Sequence, residues 1–258
     1  MPPASLTGVD NNPTPTSGRI LVTGSADGLG RLTAEALLAA GQAVVVHVRH
    51  RTRLPAVRHL LEQGAEVVIG DLSDRTQTRL LAEAVNAGGG VDVVIHNAGV
   101  FSGSQVLPVN VVAPYLLTAS LLGTRRLIYL SSGMHRSGRP DLEAVDWDGG
   151  GSSSYSDSKL LVTTLAMAVA RLRPGALSNA VDPGWVPTRM GGPGAPDDLR
   201  LGHLTQEWLA TSADPEALTS GGYWHHQRRR EPHPAVHDAH VQDRLLESLA
   251  RSTGTVLA

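Results

Sequence analysis

The sequence predicts an α/β fold: one doubly wound parallel sheet with helices on both faces. Three observations carry that prediction. Short apolar runs and segments of helical spacing alternate over residues 19–181, the order of a strand–helix–strand repeat. The apolar runs are continuous rather than alternating, as in the valine-rich stretch 43–48, and parallel strands covered on both faces read this way. A glycine-rich turn separates the first apolar run from the first helical segment. Right-handed crossovers between successive parallel strands then carry the helices to both sides of the sheet.

Each element follows from its own residues. The first strand is the run 19–23, and the helical spacing of 29–40 stops at Gly41, a residue suited to the left-handed turn after a helix. The β-branched run 43–48 is the second strand. Residues 54–62 read as a helix ended by Gly64, and 67–69 as a third strand closed by Gly70 and Asp71. A helix over 76–87 precedes a fourth strand at 91–96. The apolar segment 109–122 reads as a buried helix and 127–130 as the fifth strand. A long helix over 154–172 and a short sixth strand at 178–181 complete the pattern. No repeat and no linker divides the chain.

Composition narrows the function. A chain of 258 residues accommodates one large α/β domain with a substantial core. A net charge of −2 provides no basic field for nucleic acid. The absence of cysteine excludes disulfides, thiolate metal sites and a thiol nucleophile. No apolar run reaches the roughly 18 residues needed to span a bilayer. Residues 1–18 are rich in Pro, Thr, Ser and Asn and lack the basic and apolar segments of a signal peptide, so they are expected to form a disordered arm. Residues 19–258 are then a single domain, expected to be soluble and cytoplasmic.

The turn Thr23-Gly24-Ser25-Ala26-Asp27-Gly28-Leu29-Gly30 lies between the first strand and the first helix. Glycines there allow a sharp turn and close backbone approach to a pyrophosphate, and the helix N-terminus offers free N–H groups and a favourable dipole. An acid at the end of the second strand would grip the adenosine ribose of NAD. The residues present are Val48-Arg49-His50-Arg51. Arg49 and Arg51 instead suit a 2′-phosphate, which favours NADP(H) and leaves NAD(H) open; Asp27 in the glycine turn acts in the opposite direction.

Lys159 is the only lysine in the chain, so the other 21 of its 22 basic residues are arginine. It stands four residues after Tyr155, which on a helix places a compact ammonium beside a phenol. A nearby cation is expected to lower the phenol pKa and fit it for acid–base work.

Together these residues resemble the short-chain dehydrogenase/reductase family over 19–186. The resemblance rests on the glycine turn, Asn97-Ala98-Gly99, Asn110, Ser131-Ser132, the Tyr155 and Lys159 pair, and Pro183-Gly184. It implies a Rossmann-type fold in which Tyr155 is the acid/base. Lys159 would lower the Tyr155 pKa and bind the nicotinamide ribose, and Ser132 would bond the substrate oxygen. Asn110 would hold a water linked to Lys159. The cofactor would be held by Gly24, Ala26, Gly28, Leu29 and Gly30, with Asp71 and Leu72 at the adenine. Asn97, Ala98 and Gly99 would line the cleft, and Pro183, Gly184, Val186 and Thr188 would lie near the carboxamide. The long stretch between Ser132 and Tyr155 is similar to the retinol-dehydrogenase-like branch.

The expected activity is NADP(H)-dependent interconversion of a carbonyl and an alcohol on a small, apolar molecule. Two alternatives stand beside it: a non-catalytic cofactor-sensing protein, and a reductase of C=C or C=N bonds. The resemblance also implies a homodimer or homotetramer. The segment 188–214, rich in Gly, Pro and Asp, is expected to form a lid over the substrate. Trp185, Trp208, Tyr223 and Trp224 are candidates either to wall an apolar pocket or to pack in the core. The histidines from His225 to His240 are expected to be an exposed segment rather than a metal site, and Arg228-Arg229-Arg230 a solvated run or subunit contact.

Overall fold

A computed structural model describes residues 18–143, 145–149 and 154–257. The arm expected over residues 1–18 falls outside these, apart from Gly18. Strands β1 (Arg19–Val22), β2 (Ala43–Val48), β3 (Glu66–Ile69), β4 (Val93–His96), β5 (Arg126–Leu130), β6 (Leu177–Asp182), β7 (Tyr223–His225) and β8 (Arg228–Arg230) form one sheet. Its order is β3-β2-β1-β4-β5-β6-β7-β8. All neighbouring strands are parallel except β7 and β8, which form an antiparallel hairpin. The order reverses after β1, so a cleft opens between the C-terminal ends of β1 and β4, where ligands of such sheets bind.

The helices are α1 (Gly28–Ala39), α2 (Leu54–Glu62), α3 (Arg75–Ala87), α4 (Ala113–Ser120), α5 (Tyr155–Leu172), α6 (Leu199–Thr211) and α7 (Ala239–Thr253). Their starts are written locally. Asp27, Asp74, Asp198 and Asp238 each cap a helix with a side-chain oxygen, and Ser154 forms a reciprocal box with Asp157 at the head of α5. One core packs α3, α4, α5 and α7 on the sheet through residues such as Leu81, Leu117, Leu165 and Leu245. The other packs α1, α2 and α6 through Leu37, Leu60 and Leu209. Valines of β1, β2 and β4 are covered by both, which is why these strands read as unbroken apolar runs. No helix among the described residues is long and apolar enough to cross a membrane.

The C-terminal third differs from the sequence expectation. Residues 199–211 of the presumed lid are helix α6, packed on α1, and only 188–198 remain as loop at the cleft. Gly202 explains the misreading. A Cβ there would lie 2.8 Å from Val186 Cγ1 and 3.0 Å from Leu29 Cδ2, so this glycine lets the helix approach closely rather than breaking it. Trp208 and Trp224 do not wall a pocket; their rings meet edge-on, 5.1 Å apart, inside the second core. Residues 228–230 form the exposed edge strand β8, where three arginines oppose pairing with another chain. Among the described residues no histidine or acid cluster could hold a metal. The helix expected over 109–122 begins as a π-turn, Pro108–Val112, before α4.

Two buried histidines tie the fold to pH. His96 stacks on Tyr129 at 4.6 Å, and burial pulls its pKa down to about 3. His47 accepts from Gly24 N–H through Nδ1 at 2.9 Å and donates from Nε2 to the Gly70 carbonyl at 2.8 Å. Burial lowers its pKa too, against the opposing pull of Gly70 and Asp71. The unfolded chain therefore binds more protons than the folded one below about pH 6.5. Stability present above that pH should be lost as pH falls through it, by up to about 1.4 kcal/mol per pH unit for each histidine. Urea unfolding between about pH 7 and pH 5 measures this. His96→Leu should remove part of the slope, and an unchanged slope would contradict the account.

Candidate active site

The cleft at the strand ends has a volume of about 780 Å3. Its centre is the glycine turn. Gly24 and Gly28 take φ of +69° and +52°, a conformation that side chains rarely adopt. Asn97, just after β4, donates its Nδ2 to the Thr23 carbonyl at 2.8 Å, and Ala98 N–H donates to Thr23 Oγ1 at 2.9 Å. Gly30 is needed by this clasp, since a Cβ there would lie 2.3 Å from Asn97 Nδ2 and 2.4 Å from the Gly24 carbonyl oxygen. The His47 ring braces the turn from below through its bond to Gly24 N–H. This open cradle fits a dinucleotide pyrophosphate at the N-terminus of α1. One helix donor is already used: Asp27 Oδ1 accepts from Gly28 N–H at 2.8 Å.

At one end of the cleft, beyond β2 and β3, stand Arg49, Asp71 and Leu72. Arg49 forks onto Asp71 Oδ2 through Nε at 2.8 Å and Nη2 at 2.7 Å. Burial raises the Asp71 pKa, but Ser73 and then Arg49 outweigh it and hold the carboxyl below its usual value. Arg51 is exposed and does not line the cleft, because the 3-10 turn Arg51–Arg53 directs it outward. Arg53 lines the cleft instead, its Nη2 3.5 Å from the Ala26 carbonyl. Sequence reasoning passed over it because it lies beyond the strand end, and only the turn brings it back.

At the other end α5 presents Tyr155 and Lys159. Ser132, after β5, stands close enough to the Tyr155 phenol to act on its pKa, while its own Oγ accepts from Met134 N–H at 3.3 Å. Its neighbour Ser131 bonds Thr163 instead, at 2.6 Å. Lys159 is 4% exposed and its Nζ donates to the Leu130 carbonyl at 2.6 Å. Burial pulls its pKa down to about 8, while Asp182 acts to raise it. The lowered phenol pKa expected from Lys159 is not found. The ammonium lies over the Tyr155 ring, 5.4 Å from its centroid, rather than at the oxygen. Burial pushes the phenol up to about 12, with the neighbouring Ser132 hydroxyl opposing and Asp182 adding to the rise. Tyr155 is therefore protonated at neutral pH, ready to act as an acid.

Asn110 sits within the π-turn. Its amide accepts from Val100 N–H at 2.8 Å and donates to the Val100 carbonyl at 3.0 Å and Ser158 Oγ at 2.9 Å. It thereby clamps the Gly99 segment to α5; a Cβ on Gly99 would meet both Asn110 Oδ1, at 3.4 Å, and Lys159 Nζ, at 3.7 Å. Ala26, Gly28, Leu29, Ala98, Gly99, Pro183 and Thr188 line the cleft, whereas Gly184 and Val186 do not. Val186 is buried beneath, against Gly202.

Phe101 lies at the mouth, unforeseen in the sequence. It is the only phenylalanine in the chain, 52% exposed, with its ring 4.8 Å from that of Tyr155. Met190 shares the cleft wall with it; Trp185, exposed and outside the lining, bonds the Gly191 carbonyl through Nε1 on the same loop as Met190. An isolated aromatic in a loop has no periodicity to announce it. Its scarcity in this composition was the one available signal.

Comparison with known proteins agrees with this geometry. Residues 19–124 match the model of the short chain dehydrogenase family. A short-chain dehydrogenase of Penicillium rubens, chyC, is 34% identical over 93% of this chain and 98% of its own length. A Streptomyces protein provisionally named a daunorubicin C-13 ketoreductase is 30% identical over 91% of this chain and 92% of its own. Among solved structures, a Pseudomonas aeruginosa RhlG/NADP complex superposes with a TM-score of 0.67 at 22% identity, covering 80% of this chain and 93% of that one.

The Arg49–Asp71 fork yields a binding test. Arg49→Asp should place two carboxylates side by side at the adenosine end. It should weaken NADPH relative to NADH by about 1–3 kcal/mol, the scale of a charge-assisted contact. Fluorescence titration with both nucleotides measures this, and an unchanged ratio of the two affinities would remove Arg49 from cofactor selection.

Proposed function

The chain belongs to the short-chain dehydrogenases, and on that premise we propose that it is an NADP(H)-dependent oxidoreductase that interconverts a carbonyl and an alcohol on an apolar small molecule. The observation that carries the reading is the Tyr155–Lys159 pair at the end of the glycine-lined cleft, where Ser131 lines the wall and Ser132 stands behind it beside the phenol. When bound, the nicotinamide supplies or accepts the hydride. The chain's own residues handle the proton and the charge. The Tyr155 phenol donates its proton to the substrate oxygen, and Ser132 steadies that oxygen as charge develops on it. The phenol is protonated at neutral pH, as a donor to a carbonyl oxygen must be.

Lys159 holds a positive charge beneath the site while its proton lasts, and it faces the ribose end of the cofactor. Arg49 and Arg53 favour the 2′-phosphate of NADP(H) over NAD(H). Loop 188–198 serves as the lid, with Thr188 at the carboxamide and Met190 over the substrate. Phe101, Met190 and Trp185 offer the substrate an apolar, partly aromatic seat. The ketoreductase name of the Streptomyces relative also points to a carbonyl. Intact Ser132, Tyr155 and Lys159 weigh against a sensing protein without turnover.

A panel of ketones, aldehydes and alcohols, followed through NADPH oxidation and NADP⁺ reduction, tests the reaction class. Tyr155→Phe should lower turnover by at least about a hundredfold while leaving the NADPH dissociation constant within about threefold, since one proton donor is removed and the ring is kept. Turnover within about tenfold of the unmodified protein would exclude Tyr155 as the acid.

A further inference from the structure

The C-terminal ends of β5, β6 and β7 lie side by side. Ser131 N–H donates to the Val181 carbonyl at 2.7 Å, and Asp182 is the register partner of His225. This places an aspartate directly beside the serine turn; a Cβ on Gly133 would lie 3.2 Å from Asp182 Oδ2. The Asp182 side chain is only 15% exposed. Its Oδ1 accepts from Gly184 N–H at 3.1 Å. Among the described residues, no lysine or arginine lies within ion-pair range of it, and its one such neighbour is His225 Nδ1, 3.8 Å from Oδ2. The nearby cations are engaged elsewhere: Lys159 with the Leu130 carbonyl and Arg136 with the Glu231 carbonyl.

A carboxylate this buried normally has a cationic partner or several hydrogen bonds, because an uncompensated charge out of water is costly. A second polar group stands at the same place: Tyr223 is 2% exposed, and its hydroxyl faces Asp182 and Ser131 just outside normal hydrogen-bond geometry. A phenol, a backbone N–H and one imidazole leave the Asp182 charge without a strong cation, which a ligand could bring. That place adjoins the Ser132 and Tyr155 oxygens, where a substrate carbonyl would be seated.

We infer that Asp182 is a specificity-determining residue that binds an ammonium group carried by the substrate close to its reacting carbonyl. This deepens the carbonyl-reductase reading and rests on it. The substrate class is a ketone with an apolar ring, to meet Phe101, and a basic amine one or two bonds from the carbonyl. Keto acids are disfavoured, since their carboxylate would face that of Asp182.

The test uses two ketones of nearly equal shape: 2-(dimethylamino)acetophenone, cationic at about pH 6, and isovalerophenone, its uncharged isostere. NADPH-dependent kcat/KM is measured for both with the unmodified protein and with Asp182→Asn. Differences in intrinsic reactivity cancel when the ratio of the two substrates is compared between proteins. The amine-to-isostere ratio should fall about 10- to 100-fold in Asp182→Asn, the range for losing a bond to a charged group. Asp182→Ser provides the same comparison if the Asn variant misfolds. An unchanged ratio overturns the inference.

If neither ketone is reduced, the panel of ketones, aldehydes and alcohols decides the carbonyl reading, and binding decides Asp182 separately. Calorimetric titration of both compounds into the NADP⁺-loaded protein should then show tighter binding of the amine, lost in Asp182→Asn. Equal binding of the two compounds overturns it.

Discussion

Lys159 is a charge held where charge is expensive. Its ammonium is buried under the Tyr155 ring with the Leu130 carbonyl as its hydrogen-bond acceptor, and burial draws its pKa down to about 8. Nothing in folding alone calls for such a residue, since an apolar side chain would fill the space without the desolvation cost. The surrounding structure accepts that cost in several ways. The capping box of Ser154 and Asp157 fixes the start of α5, so that Tyr155 opens the helix and Lys159 lies one turn inside. The Asn110 clamp holds the Gly99 segment against the same turn. Asp182, at the end of β6, supplies negative potential to both the lysine and the phenol.

The two halves of the cleft are built by different means. The phosphate half is backbone: a glycine turn whose shape is locked by Asn97 and Thr23 above and the neutral His47 ring below. On the proposed reading its working parts are N–H groups, and the arginines at the rim would give it selectivity. The proposed catalytic half is side chain: a phenol, a hydroxyl and an ammonium, carried on α5 and next to β5, which pack directly on each other. The sheet joins them, because β1 and β4 are adjacent and the strand order reverses there. A third surface, the apolar loop residues Phe101 and Met190, lines the cleft and is the proposed seat of the substrate, free to vary without disturbing either half.

Much of the fold was legible because its signals are local. Buried parallel strands leave continuous apolar runs, and capped helices end at glycines such as Gly41. The C-terminal third was not, because its elements are defined by packing. Gly202 looks like a loop residue until Val186 and Leu29 are seen against it, and β7 and β8 are three residues each. At the site, the residues adjoining strand ends could be placed from the sequence, whereas Arg51 and Arg53 exchanged positions through a single 3-10 turn. The placement of Phe101 and the surroundings of Asp182 depend on which segments meet in space. The direction of the Tyr155 pKa was misjudged for the same reason: sequence spacing shows a neighbouring cation but not the burial that outweighs it.

The central claim is that Lys159 serves the Tyr155 site by its compact shape and buried charge, not as a generic cation. Replacing it with arginine keeps the charge but substitutes a broad planar fork in a space closed by Leu130, Gly99 and the Tyr155 ring. The decisive measurement is NADPH-dependent kcat/KM, with the NADPH dissociation constant, for Lys159→Arg, alongside circular dichroism. The account predicts a native spectrum with large losses in both cofactor affinity and turnover. Near-native values of both would contradict it, placing Lys159 outside the chemistry of this chain.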